Sequence, residues 1–177
     1  FRVNLQNADI MDKIGIFFGS STGNTEVVAE KLQDILGTDR ADLHNADSAT
    51  REDLEKYKYL VFGTPTWGIG DMQDDMEDFL EEVTKLDLSD KKVAIFGLGD
   101  QDTYPESFVD GIGILYEKLK DKTQVVGQWP LKGYGFNDSE AVMGNKFVGL
   151  AIDQENQPGM TEKRLEKWAE LLKKEFI

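Results

Sequence analysis

Cysteine is absent from this chain, histidine occurs once, and basic residues are outnumbered by acidic ones. Without cysteine there is no disulfide, no thiolate nucleophile and no cysteine-ligated iron–sulfur cluster. The lone His44 excludes a multi-histidine metal site, and no metal centre is expected. Long apolar runs are missing as well: none approaches the roughly 18 residues that a membrane span needs. The 20 Lys and Arg against 34 Asp and Glu leave a net charge of -14. Nucleic acid and anionic membranes would repel such a chain, whereas basic protein surfaces would attract it.

The 177 residues suit one domain with a substantial core. Residues 1–12 read as an amino-terminal extension, processed or added, with Phe1 in place of a starting methionine and Met11 just before the first strand. From Lys13 onward, short apolar runs alternate with amphipathic segments, the pattern of a parallel sheet covered by helices. Strands are predicted at 13–19, 41–45, 59–64, 92–97 and 123–127, the last resuming at 147–152. Their runs look buried rather than alternating, as in a sheet covered on both faces. Helices are predicted at 25–36, 74–84, 105–119 and 161–175, with a shorter one near 50–56. The segment 128–146 has no helical period and reads as a loop inserted into the fifth strand. In open α/β sheets, ligands bind at the carboxyl ends of the strands, so the loops there are the places to look.

The first such loop is Ser20, Ser21, Thr22, Gly23, Asn24 and Thr25, between an apolar strand and a helix. Hydroxyls, backbone amides and the positive helix end can converge there on an anion. A nucleotide triphosphatase loop would carry a lysine, and a dinucleotide fingerprint a different glycine register; neither is present. A single phosphate held by neutral donors fits, and so does a plain helix cap, where Ser, Thr and Asn are favoured anyway. After the third strand come Thr64, Pro65, Thr66, Trp67 and Gly68, then Ile69 and Gly70. Trp67 offers a flat face to a ring or simply covers the sheet end. After the fourth strand come Gly97, Leu98, Gly99, Asp100, Gln101 and then Tyr104. These glycines allow backbone amides to approach a ring edge, and two aromatic loops side by side can hold a planar ring between them.

These three loops resemble those of the flavodoxins, small flavin mononucleotide (FMN) electron carriers, over the chain from about Lys13 onward. The insertion in the fifth strand, and Phe147 to Ala151 after it, are similar to the long-chain subgroup. The resemblance implies a flavodoxin-like three-layer α/β sandwich, with a five-stranded parallel sheet in the order 2-1-3-4-5 for which this family is a standard illustration. It implies FMN held without a covalent bond. Ser20 to Thr25 would bind the phosphate, with Thr64, Pro65, Thr66 and Trp67 on one side of the ring and Tyr104 stacked on the other. Leu98, Gly99 and Asp100 would follow the pyrimidine edge, Asp153 would lie towards the ribityl chain, and the Gly68 carbonyl would accept a hydrogen bond from flavin N5 after reduction.

On this reading the protein is a low-potential one-electron carrier rather than an enzyme, because the cofactor performs the redox chemistry. The stretch Asp71 to Asp90 holds nine acids and only Lys85 in opposition. A unit charge about 10 Å from the ring costs roughly 1.7 kcal/mol at an effective dielectric of about 20. That equals about 70 mV for one electron, less whatever salt screens. The same acids would steer the carrier to basic docking surfaces on redox proteins, such as a flavodoxin/ferredoxin-NADP reductase and low-potential acceptors. A monomeric cytoplasmic protein is expected, or one in an organellar stroma if the amino end is a processed transit sequence. One rival is an FMN-dependent NAD(P)H:quinone reductase-like enzyme on the same fold, though no second nucleotide site is evident. Another is a phosphoacceptor signalling domain, which needs acids where this chain has Ser20 and Thr64.

Overall fold

The structure, a computed structural model, describes residues 13–67 and 71–176. The expected extension at 1–12 and the role expected of Gly68 lie outside them. In chain order the elements are β1 (Ile14–Phe18), α1 (Asn24–Leu36), β2 (Ala41–Asn45), α2 (Arg51–Glu55), β3 (Tyr59–Trp67) and β4 (Asp71–Met72). There follow α3 (Asp74–Val83), β5 (Lys92–Leu98), α4 (Asp110–Leu119), β6 (Gln124–Val126), β7 (Trp129–Pro130) and β8 (Val142–Met143). The chain ends in β9 (Lys146–Phe147), β10 (Leu150–Ile152), a 3-10 turn at Pro158–Met160 and α5 (Thr161–Glu175).

Strands β2, β1, β3, β5 and β10 lie side by side in that order and are all parallel. With β10 counted as part of the fifth strand, this is the 2-1-3-4-5 order expected from the sequence. The fifth strand is split as expected: β6 pairs with residues 92–94 of β5 and β10 with residues 96–98. At the break Gly149 approaches β5 so closely that a Cβ would stand 2.2 Å from the Ile95 carbonyl oxygen.

The period-two alternation of a strand divides the core between the two faces. Ile14, Ile16 and Phe18 of β1, with Val61, Phe96 and Ile152, pack under α1 and α5. Phe17 points the other way and joins Phe62, Val93 and Ile95 beneath α3 and α4. Helix α3 buries Met76, Phe79, Leu80 and Val83, and leaves Asp74, Glu77, Asp78, Glu81 and Glu82 exposed. Trp168 is fully buried on α5, and its indole N–H donates to the Gly127 carbonyl at 2.9 Å. Half-buried His44 stacks on Phe17 with ring centroids 4.6 Å apart, and its Nε2 meets the Tyr57 hydroxyl at 2.7 Å.

Two boundaries differ from the sequence reading. Helix α4 begins at Asp110 rather than Pro105, because the Pro105 carbonyl is taken by the amides of Asn137 and Asp138 and Val109 adopts a positive φ of 47°. The insertion, read as a loop, contains a small antiparallel sheet in the order β7-β9-β8. Phe147, expected in the resumed fifth strand, belongs to that sheet and pairs with Trp129 and Val142.

Candidate functional site

Because β1, β3, β5 and β10 are parallel, the loops after them leave the sheet at one edge. The chain lays β2 on one side of β1 and β3 on the other, which opens a crevice of the kind that binds ligands in such sheets. There the structure has a cavity of about 270 Å³. Of the residues singled out from the sequence, Ser21, Thr22, Asn24, Pro65, Thr66, Leu98, Gly99, Asp100 and Tyr104 line it. Three segments distant in sequence thus meet at one place.

The remaining residues of the first loop shape it from behind. Ser20 Oγ accepts the Gly23 amide at 2.9 Å, and the Gly19 amide donates to the Gly63 carbonyl at 2.9 Å. Thr25 is buried beneath the first turn of α1. Gly23 stands at the helix N-cap with φ 89°, a left-handed conformation that favours glycine. No side chain caps the first-turn amides of α1. Of the two readings of this loop, a cap made by its hydroxyls is therefore not what forms. The amide end faces outward with Ser21, Thr22 and Asn24 beside it, an arrangement suited to an anion.

Gln73, absent from the sequence reading, holds this loop against α3. Its Oε1 accepts the Met76 amide at 2.9 Å and caps α3, while its Nε2 donates to Ser21 Oγ at 3.2 Å. A Cβ on Gly19 would lie 2.2 Å from that Oε1, so only glycine admits the contact. Glutamine is not a favoured cap, which is why the sequence carried no signal for it.

On the opposite wall Thr66 Oγ1 accepts the Gly111 amide at 2.9 Å, fastening the end of β3 to the start of α4. Thr64 is fully buried, and its hydroxyl donates to the Pro65 carbonyl at 3.2 Å. Trp67 is the last residue of β3, in register with Asp71 of β4. The Gly99 amide donates to the Ile152 carbonyl, and the Tyr104 amide closes a turn on the Asp100 carbonyl. Tyr104 is 41 % exposed, with its ring free to cover something. Burial alone would raise the Asp100 carboxyl, but hydrogen bonds from Thr103 and Asn156 outweigh it and hold the group below its ordinary value.

Asp153 does not line the cavity. It is fully buried, with Oδ2 accepting from the Gln101 amide at 3.1 Å and from Gln101 Nε2 at 2.6 Å, and Oδ1 accepting from the Asn156 amide at 3.0 Å. The two residues after it, Gln154 and Glu155, supply that wall instead. Gln101 in turn accepts the Gly135 amide, linking the insertion to the loop that carries Asp100 and Tyr104. Beside it Tyr134 donates to the Ala151 carbonyl at 2.6 Å and accepts from Trp129 Nε1 at 3.0 Å, and burial pushes its phenol up to about 12. The Arg164 guanidinium lies 4.0 Å over the Tyr134 ring. Among the described residues no group of three or more acids or histidines is gathered to hold a metal.

Comparison with known proteins agrees with this geometry. The flavodoxin family model matches residues 16–168. The chain is 45% identical to a flavodoxin of Synechococcus elongatus over 168 residues, covering 94% of this chain and 99% of that protein. It is 47% identical to one of Nostoc sp. over 165 residues, covering 93% and 97%. Among solved structures, Fusobacterium nucleatum flavodoxin bound to flavin mononucleotide superposes with a TM-score of 0.89 at 33% identity, covering 94% of this chain and 100% of that one. Oxidised flavodoxin 1 of Bacillus cereus gives a TM-score of 0.68 at 28% identity, covering 92% and 98%. With a sheet order, a crevice and relatives that agree along nearly the whole chain, this protein belongs to the flavodoxin family.

Proposed function

We propose that the protein holds FMN in the crevice and carries single electrons between redox partner proteins. The observation that carries the reading is the pairing of an uncapped amide end at α1 with a cavity walled by Thr66, Gly99 and Tyr104. That combination fits one phosphate and one planar ring. When bound, the flavin supplies the redox chemistry, and no catalytic side chain is required.

The residues divide the work by position. Ser21, Thr22, Asn24 and the first amides of α1 hold the phosphate, with Ser20, Gly23 and Thr25 shaping the turn beneath them. Pro65, Thr66 and Trp67 bound one side of the ring and Tyr104 the other, while Leu98, Gly99 and Asp100 follow its edge. Glu155 and Gln154, rather than Asp153, face the ribityl chain. Asp100 and Glu155 line the cavity, and the exposed acids of α3 add to the protein's negative charge, which would disfavour added electrons and lower the potential. The same charge steers a monomer to basic docking surfaces on its partners, which include a flavodoxin/ferredoxin-NADP reductase and low-potential acceptors. The insertion between the halves of the fifth strand supports assignment to the long-chain subgroup. No helix of the described residues is long and apolar enough to cross a membrane, and the reading places the carrier in the cytoplasm.

A reductive titration followed by absorbance tests the proposal. The expected result is stoichiometric FMN and two resolved one-electron steps; a single two-electron step, or bleaching by NADPH without a reductase, refutes the carrier reading. Trp67→Ala should weaken FMN roughly three- to tenfold through lost stacking. Unchanged affinity and unchanged potentials would remove Trp67 from the site.

A further inference from the structure

The turn after β10 contains a side chain whose hydrogen bonds are unlike any others at the site. Asn156 Nδ2 has two protons and reaches three carboxylate oxygens on two residues. It stands 2.8 Å from Asp100 Oδ1, 2.9 Å from Asp153 Oδ2 and 3.2 Å from Asp153 Oδ1. One proton serves Asp100, and the other is shared by the two oxygens of Asp153. The carboxylates so joined have different stations. Asp153 is fully buried at the end of the sheet, and Asp100 lines the cavity.

We propose that Asn156 is a positioning residue that latches the loop carrying Gly99, Asp100 and Tyr104 to the end of β10 and so sets the ring side of the flavin site. The inference rests on the placement of the ring against residues 99–104. Two like charges bridged by a single amide would otherwise repel each other, and the exposed turn would take the displacement. Asp100 transmits the latch in two ways. Its Oδ1 also accepts the Thr103 amide at 2.9 Å, and its carbonyl accepts the Tyr104 amide at 2.9 Å. A shift of Asp100 therefore moves Tyr104 with it.

Asp153 cannot absorb the shift. Gln101 holds its Oδ2 through both a backbone and a side-chain N–H, the Asn156 backbone amide holds its Oδ1, and Gln101 is itself tied to Gly135. Glu155 lies on the same turn, Asp102 on the facing one, and the Arg164 guanidinium sits over the Tyr134 ring. Among the described residues neither Asp100 nor Asp153 has an ion-pair partner. The amide of Asn156 is thus the neutral bridge between the two acids.

The test uses the full chain, with FMN and riboflavin titrated into the apoprotein from pH 5 to 8. Each result is read as a ratio to the unsubstituted protein, which cancels the titration of the flavin phosphate. Asn156→Ala should weaken both flavins by about tenfold, the value of one hydrogen bond to a charged group. The loss is equal for the two because the latch acts on the ring and not on the phosphate. Asn156→Asp places a third carboxylate among the two and should lose more at pH 8 than Asn156→Ala. It should then recover towards the unsubstituted affinity near pH 5, as a shared proton restores a donor. Since Asn156 is exposed, both variants should fold, and recovery within a single sample separates latch from misfolding. Wild-type affinity in both variants, or a loss in Asn156→Asp that is the same at every pH, overturns the latch. Failure of the unsubstituted protein to bind FMN would instead overturn the assignment of the site.

Discussion

Gln73→Met tests how much one buried amide contributes to the phosphate side of the site. Methionine keeps the length of the side chain and removes both its acceptor and its donor. Gln73 is 2 % exposed and the Met76 amide it caps is buried, so water cannot replace the lost acceptor. Loss of a helix cap costs about 0.5 to 2 kcal/mol, and this burial puts the value in the upper half of that range. The two bonds of Nε2, to Ser21 Oγ and Asp75 Oδ2, lie where water can substitute and add about 0.5 kcal/mol. The sum is about 2 kcal/mol, which lowers Tm by about 4 to 8 °C in a domain of this size. Thermal unfolding of the apoprotein reads the stability, and an FMN titration reads the loop. Affinity should fall by less than about tenfold, since Ser21 loses an anchor but keeps its hydroxyl. Gln73→Asn separates the two effects: it can still cap Met76 but is too short to hold Ser21, so Tm recovers and affinity does not. An unchanged Tm in Gln73→Met would refute the argument that this amide secures α3.

Two further substitutions address protonation and the insertion. Burial is the main cause raising the Asp110 carboxyl, helped by Glu140 and Asp138 and opposed by the hydrogen bond from the Glu140 amide. A raised carboxyl weakens the fold as pH climbs from the unfolded value, about 3.9, through the folded one. Asp110→Asn keeps the acceptor for that amide, so it should raise Tm at pH 7, with the gain vanishing below about pH 4; a Tm difference independent of pH would contradict this. Tyr134→Phe leaves the Ala151 carbonyl and the Trp129 indole without a partner at a cost of about 1 to 3 kcal/mol, visible as a lower Tm. The unsubstituted protein should also lose more stability than Tyr134→Phe between the ordinary phenol value and about 12, the difference being the share of Tyr134. A difference ultraviolet titration of the unsubstituted protein against Tyr134→Phe isolates this phenol, and a difference signal at the ordinary phenol value would refute the effect.

The sheet and the position of the crevice were legible because buried parallel strands appear as apolar runs and the loops after them have a distinct composition. Nine of the residues singled out line one cavity because strand ends in a parallel sheet converge wherever the strands do. Asp153 shows where such reading stops. Beyond the end of β10 at Ile152 the strand alternation no longer applies, and four N–H donors draw the Asp153 carboxylate inward and leave Gln154 and Glu155 at the wall. Gln73 was invisible because its role depends on a contact with Ser21, 52 residues earlier. The two-residue strands of the insertion are too short for any period to register, and the late start of α4 follows from Asn137 and Asp138 reaching back to Pro105.

The split fifth strand has a consequence for what the chain can tolerate. Both halves hang on one margin of β5, so the segment between them enters and leaves the sheet almost at a single point. Doubling a flexible segment at such a point costs only about 0.6 kcal/mol in closure entropy. The sheet thus has a natural graft site, where foreign sequence can be spliced in without changing the register of a single core strand. A graft confined to the exposed turn at 144–145, between β8 and β9, would vary the outer surface of the protein while keeping Ala141 and Phe147 in the core, Tyr134 on the Ala151 carbonyl and the Gly135 amide on Gln101.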